Sequence, residues 1–334
     1  MPEQTFFCIR PYIFEKRDVI KRMITDKGIE IKASKILWLN STDIRNIYGH
    51  ESYSPYYRAC LHFMRNGFVE VGIIDGQNAI NDLVQLCGKK YIPSNCDIGT
   101  IRNKFGLTKP IRFNDTDYYF NPIHRSKNAK EAKRETDYFW RHMYCRSTSQ
   151  IVSDMVKRLY IVRKLKHIYQ CHIKPAVKIG KELCKQYGAD ETVVELALWL
   201  HDIGRFKENN KDEHHILSAN YARGVLELLG CKRDITEAVN HCILTHRGSS
   251  NSSRNTIEAK IVASADGIVN IEYVALLYYF AYKEKRLGFN QGLKTIKLKI
   301  DQSYDKIFES AKGKIDKEYT YWQEIFGLFH LSKK

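Results

Sequence analysis

Residues 196–206 read LALWLHDIGRF, a stretch apolar on almost every side that still carries a histidine and an aspartate in adjacent positions, His201 and Asp202. A helix that is apolar all round is buried, and an unpaired carboxylate taken out of water is costly unless something compensates it. The rest of the chain must therefore supply Asp202 with partners. His172, in CHIKPAVKIG, and Asp266, in IVASADGIV, are polar residues on two other apolar segments. The four side chains offer imidazole nitrogens and carboxylate oxygens from three helices, a donor set suited to a divalent cation inside a helical bundle.

The periodicity agrees with that placement. From about residue 148 onward, IKPAVKIGKELCKQYG, DETVVELALWLHDIG, HILSANYARGVLELLG, DITEAVNHCILTHR and TIEAKIVASADGIV read as successive helices, with breaks at Gly188, Gly204, Gly230 and Gly248. The first half instead alternates β-rich runs (TFFCIRP, IEIKASKILWL, FVEVGIID, YYFNPIH) with helical ones (EKRDVIKRMITDKG, YRACLHFMRN, NAINDLVQLCG, NAKEAKRETDYFW). A chain of 334 residues accommodates two domains. The expected fold class is α+β: an antiparallel sheet covered by helices over 1–147, an all-α bundle over 148–300, and a C-terminal helical extension over 301–334.

The series H…HD…D, with LHDIGR at its second element and CILTHRGS…TIEAKIVASAD leading to its last, resembles the HD superfamily of metal-dependent phosphohydrolases. The resemblance covers residues 150–290 and implies His172, His201, Asp202 and Asp266 as metal ligands, with Asp202 able to bridge two ions. Two-metal members add histidines between the HD pair and the final aspartate. His214 and His246 are preferred for that role here, and His215 and His241 stay open as alternatives. The implied cofactor is a divalent metal (Mg, Mn, Fe, Co, Ni or Zn), one or two ions per site. Such an ion lowers the pKa of water and polarises a phosphoryl oxygen. Arg205 and Arg247, each beside a proposed ligand, are placed to neutralise phosphate, and Asp212 or Glu213 to protonate a leaving oxygen.

In the first half, YYFNPIHRSKNAKEAKRE sets His124 at a strand end just before a helix. Together with IRP, YSPYYRACLHFM, GIIDGQNAINDLVQLCG and GTIRNKF, this order resembles nucleoside diphosphate kinase across residues 4–140. The resemblance implies a ferredoxin-like βαββαβ fold and ping-pong phosphoryl transfer through a phosphohistidine at His124. Arg102 falls on a phosphate-contacting arginine, Asn121 on the asparagine near the sugar, and Tyr56 on the aromatic that stacks on the base. Tyr48 and Glu135 fall on the residues that support the histidine. Four features depart from the pattern. Arg10 replaces a lysine, Val84 replaces a second phosphate-binding arginine, HRSK replaces HGSD, and the segment between GTIR and the histidine is longer. Lys90, Lys127 and Arg125 are the available sources of the positive charge missing at Val84.

Composition narrows the partners. The net charge of +16 is shared evenly between the two halves, with no basic tail, which argues against a polynucleotide partner and suits a nucleotide substrate. Nine cysteines without a CxxC pair argue for reduced thiols and a cytoplasmic protein. No apolar run reaches the roughly 20 residues of a membrane span. Resemblance to a kinase family that assembles into hexamers or tetramers makes a homo-oligomer a possible assembly, with the inserted segment and the fused bundle as obstacles to it. The function expected is a metal-dependent phosphohydrolase acting on a nucleotide, with a divergent kinase-like domain for phosphoryl transfer or nucleotide binding. The alternatives are an active kinase with a regulatory HD domain, a di-iron HD-type oxygenase, and a non-catalytic nucleotide sensor.

Overall fold

All of Thr5–Ile9 is buried, which sets β1 (Glu3–Ile9) in the middle of a sheet. The structure is a computed structural model that describes residues 3–49, 54–206, 213–247 and 253–329. After β1 come α1 (Arg17–Thr25), β2 (Glu30–Trp38), α2 (Ser41–Tyr48), α3 (Pro55–Phe63), β3 (Phe68–Gly76), α4 (Ala79–Cys87) and the short α5 (Ile101–Phe105). Then follow β4 (Ile111–Phe113), β5 (Thr116–Tyr118), β6 (Ile123–Arg125) and α6 (Ala129–Tyr138). The main sheet runs β2-β3-β1-β6 with every pair antiparallel, the ferredoxin-like βαββαβ order, with α2 and α3 inserted between β2 and β3. Phe7 and Ile9 of β1 pack with Ile20 and Ile24 of α1 and Leu83 and Cys87 of α4 on one face. Phe6 lies against Phe139, just after α6, on the other.

One expected strand divides. YYFNPIH was read as continuous, but only Ile123–Arg125 joins the main sheet, and Tyr118 ends a separate β4–β5 hairpin. Pro122 has no N–H to give a ladder, so pairing starts after it.

Asp43 anchors the far end of this unit. It is fully buried, closes the α2 capping box through Asn40 N (2.8 Å), and accepts from Tyr138 Oη (2.9 Å). Arg146 grips it bidentately at 2.7 and 3.0 Å. Removing one partner of a buried pair costs about 3–5 kcal/mol. Arg146→Met is therefore expected to lower the thermal midpoint by about 10 °C. A shift under about 2 °C would show that the pair contributes little.

The first compact unit runs from Met1 to Arg158, which lies inside α7 (Thr148–Val162). The second unit is helical throughout: α8 (Lys166–Ile168), α9 (Lys174–Tyr187), α10 (Glu191–Leu200), α11 (His214–Leu228), α12 (Arg233–Thr245), α13 (Ile257–Glu272), α14 (Val274–Tyr278), α15 (Phe289–Asp305) and α16 (Asp316–Leu328). Helix α13 is buried from Ile261 to Ile271 and packs against α9, α10, α12 and α15. Helix α15 packs on α13 and α16 follows it. No single described helix is long and apolar enough to cross a membrane.

Candidate functional site

In the helical unit the polar residues on apolar helices converge. His172 sits in a single π-helical turn, Tyr169–Ile173, that leads into α9. Such turns re-aim a side chain that regular geometry would point elsewhere. His201 caps α10, and its Nδ1 bonds Leu198 O (2.8 Å); His246 caps α12, and its Nδ1 bonds Ile243 O (2.6 Å). Each of these bonds takes up the Nδ1 proton and leaves the Nε2 lone pair facing inward.

The inward atoms form two groups. His172, His201 and Asp266 make one, with His172 Nε2 3.2 Å from both His201 Nε2 and Asp266 Oδ1. Asp202, His214 and His246 make the other, with Asp202 Oδ1 3.5 Å from His214 Nε2 and 4.0 Å from His246 Nε2. Asp202 faces both, since its Oδ2 lies 3.5 Å from His172 Nε2. All six side chains are buried, and Asp202 Oδ1 has no hydrogen-bond partner. Clustered lone pairs and an orphaned buried carboxylate oxygen fit a cation.

Local packing produces this convergence. A Cβ on Gly204 would stand 2.4 Å from His214 O and 2.6 Å from Ser218 N, so only glycine lets the turn after Asp202 lie against α11. Gly204 N also donates to Ser218 Oγ (2.9 Å). Burial alone would raise the Asp202 carboxyl, but the Arg205 guanidinium holds it well below the usual range, with Arg205 Nε reaching Asp202 Oδ2 at 2.8 Å. Arg205 Nη2 also meets His214 Nε2 at 3.1 Å. Burial pulls His201 down and His246 well down, which keeps both imidazoles neutral. Burial would likewise lower His172, yet its bonds to Asp202 and Asp266 lift it to about 9.

The alternative histidines lie outside these groups. His215 Nδ1 lies 3.5 Å from Arg247 Nη1, and His241 belongs to neither triad. Glu213 is exposed at the start of α11, and Asp212 falls outside the described residues. Sequence reasoning missed Lys306, whose buried ammonium contacts Asp266 Oδ2 and lies 3.5 Å from His246 O. Its signal was a lysine continuing the buried stripe Leu293, Ile296, Ile300 and Ser303. Against the upward pull of burial, Lys306 and His172 hold the Asp266 carboxyl well below its ordinary range. Without Lys306, Asp266 would keep only His172 and the cation. Lys306→Met is expected to cost about 3–5 kcal/mol in EDTA-treated protein and far less with divalent metal present. Equal losses under both conditions, read from chemical denaturation, would contradict this.

In the first unit, a cavity of about 450 Å³ opens beside β6. His124 stands on its wall, opposite Cys8 of β1, and Nε2 lies 3.0 Å from Glu135 Oε2 of α6. Glu135 is fixed in turn by Ser126 Oγ (2.8 Å) and Arg134 Nη2 (3.0 Å). Burial would raise the Glu135 carboxyl, but His124, Ser126 and Arg134 hold it below its usual value. The arrangement puts the imidazole proton on Nε2 and leaves Nδ1 as the free nitrogen. The Tyr48 ring meets His124 edge-on at 4.8 Å.

Arg10, Tyr48, Tyr56, Arg102 and Asn121 all line the cavity. Arg10 Nη2 bonds Tyr56 Oη (2.8 Å) and Tyr48 Oη (3.4 Å), while its Nε and Nη1, Arg102 Nε and Asn121 Oδ1 are buried without partners. Gly88 (φ +94°) ends α4, and a Cβ there would meet Cys96 Sγ at 2.9 Å; the tight turn carries Lys89 to the cavity. Lys127 and Arg125 also line it, whereas Lys90 contributes its carbonyl, which accepts from Arg102 Nη1 (3.0 Å). Lys89, rather than Lys90, thus brings its side chain to the cavity, which Asp117 and Tyr118 from the inserted β4–β5 hairpin and Glu131 of α6 also line.

The fold and these two sites define a fused protein, a basic nucleotide-sized cavity on an antiparallel sheet joined to a helical His/Asp centre. The sequence model for nucleoside diphosphate kinase matches residues 3–144, and that for the HD domain matches residues 169–271. Nucleoside diphosphate kinase of Methanocaldococcus jannaschii is 31% identical over 144 residues, covering 42% of this chain and 95% of that protein. The enzyme of Methanococcus maripaludis is 29% identical over 140 residues, covering 41% and 98%. Among solved structures, apo nucleoside diphosphate kinase from Encephalitozoon cuniculi shares 26% identity over 43% of this chain and 92% of its own, with a TM-score of 0.35. The chain belongs to the nucleoside diphosphate kinase family through its N-terminal domain, and it carries an HD domain behind it. Both are enzyme families, and HD domains are typically metal-dependent.

Proposed function

We propose that the protein is a metal-dependent phosphohydrolase of nucleotides whose kinase-like domain binds nucleotide and takes up a phosphoryl group on His124. The observation that carries the first part is Asp202, a buried carboxylate whose two oxygens address two separate groups of donors, one of them with no hydrogen bond. His172, His201 and Asp266 would hold one divalent ion and His214 and His246 a second, with Asp202 shared. Bound there, the metal supplies Lewis-acid polarisation of phosphate and activation of water. Arg205, anchored on Asp202, directs Asp202 and adds positive charge where phosphate oxygens approach.

In the kinase-like domain, Glu135 accepts a hydrogen bond from His124 Nε2–H, so the Nδ1 lone pair can attack a terminal phosphorus. The Nδ1–P bond forms as the bridging O–P bond breaks, and the nucleoside diphosphate leaves with that oxygen. Arg10 and Arg102 face the charge on the transferring group.

Phosphate release and product mass from a panel of ribo- and deoxynucleotides, with magnesium, manganese, cobalt, nickel, iron or zinc in turn, test the hydrolase. Acid-labile label from γ-labelled ATP tests the transfer. A di-iron oxygenase reading draws on the same four imidazoles; bound iron with oxygen uptake would favour it, and hydrolysis with magnesium under nitrogen would exclude it.

A further inference from the structure

Arg102 on α5 and Arg125 at the end of β6 are both buried, and each has a buried Nε without a partner. Neither makes an ion pair among the described residues. Their shared neighbours are the thiols of Cys87 and Cys96, and burial pushes Cys87 up to about 12, so no thiolate answers the charge; the carboxylates near Arg125 are Glu131, which lines the cavity, and Glu135, which is taken up by His124, Ser126 and Arg134. Burial holds Arg102 below its usual range, and the Arg125 guanidinium lowers it further. Two like charges buried on the wall of one cavity are unfavourable when it is empty and favourable around an anion. Lys89, Lys127 and Arg10, with its unpartnered Nε and Nη1, meet the same cavity, and with Arg102 and Arg125 they outnumber its carboxylates, Asp117 and Glu131, so the anion it suits is multiply charged.

The strand explains how Arg125 comes to be there. Successive strand residues point to opposite faces, so His124 turns toward α6 and Glu135, and Arg125, paired with Phe7, turns toward α4. Cys87 of α4 lies one helical turn beyond the half-buried Val84, on the same side of the helix. We infer that Arg125 is a phosphate-binding residue, reaching from β6 the place that an arginine at position 84 would reach from α4. The inference rests on reading the cavity as a nucleotide site, and it makes HRSK and Val84 two halves of one exchange.

The test compares the full chain with Arg125→Met and with Val84→Arg/Arg125→Met, titrating ADP and AMP into each and recording thermal melts. Arg125→Met should weaken ADP by about tenfold or more and AMP by less, because the lost guanidinium meets the distal phosphate. Its ligand-free melting temperature should not fall, since an unpaired buried charge has been removed. Val84→Arg in that background should restore ADP affinity at least severalfold. ADP affinity within twofold of the full chain, or a uniform loss with a lower melting temperature and no restoration, overturns the role of Arg125. Absence of nucleotide binding in the unmodified protein overturns the nucleotide reading itself, and the inference with it.

Discussion

Asp202→Asn is expected to abolish metal-dependent phosphate release and to strip bound divalent cation, while the helical circular dichroism stays unchanged. The substitution keeps size and shape but replaces an anionic oxygen with an amide NH₂, a donor that cannot ligate. One of the two triads loses a member outright, and the other loses the oxygen that lies 3.5 Å from His172 Nε2. Arg205 loses its 2.8 Å contact as well, so the local charge swings positive just where a cation must bind. Loss of an outer-shell partner alone typically costs 10–100-fold in metal affinity or activity, and about 10³-fold or more is expected for a ligand shared by two groups. Metal content by elemental analysis should fall alongside turnover. Wild-type turnover in this variant would remove the His/Asp centre from the chemistry. A silent wild type across the whole nucleotide and metal panel would instead turn attention to iron content.

The second large effect falls in the other domain. His124→Ala should eliminate acid-labile label from γ-labelled ATP, because among the described residues no other imidazole in the cavity wall is held by a carboxylate in this way. Glu135→Gln is the finer probe. It preserves a hydrogen bond at 3.0 Å but offers the imidazole a neutral partner able to present NH₂, which favours the tautomer with its proton on Nδ1. A proton on Nδ1 blocks attack, so labelling should slow by about 10²-fold or more. Label that persists in His124→Ala would place the phosphoryl group elsewhere, and labelling at full rate in Glu135→Gln would show that the carboxylate does not choose the tautomer.

Much of this protein could be read along the chain, and the residues show why. The strand and helix order of the first half rests on periods of two and 3.6 in runs such as TFFCI and NAINDLVQLC, which are properties of a few consecutive residues. The apolar setting of His201 and Asp202 already demanded distant partners, because burial of a carboxylate has the same cost whatever the fold around it. Local pattern carries no information on how helices cross or how closely they approach. The seating of His214, rather than His215, beside Asp202 depends on the contact of Gly204 with α11, and the two histidines are neighbours with the same local preferences. Lys306 reaches Asp266 from 40 residues away, and Arg125 comes to the same cavity as Arg102 through a strand pairing and a turn at Gly88. These contacts are set by the summed packing of whole elements, which is why Lys306 and Lys89 had no visible role until the chain was folded.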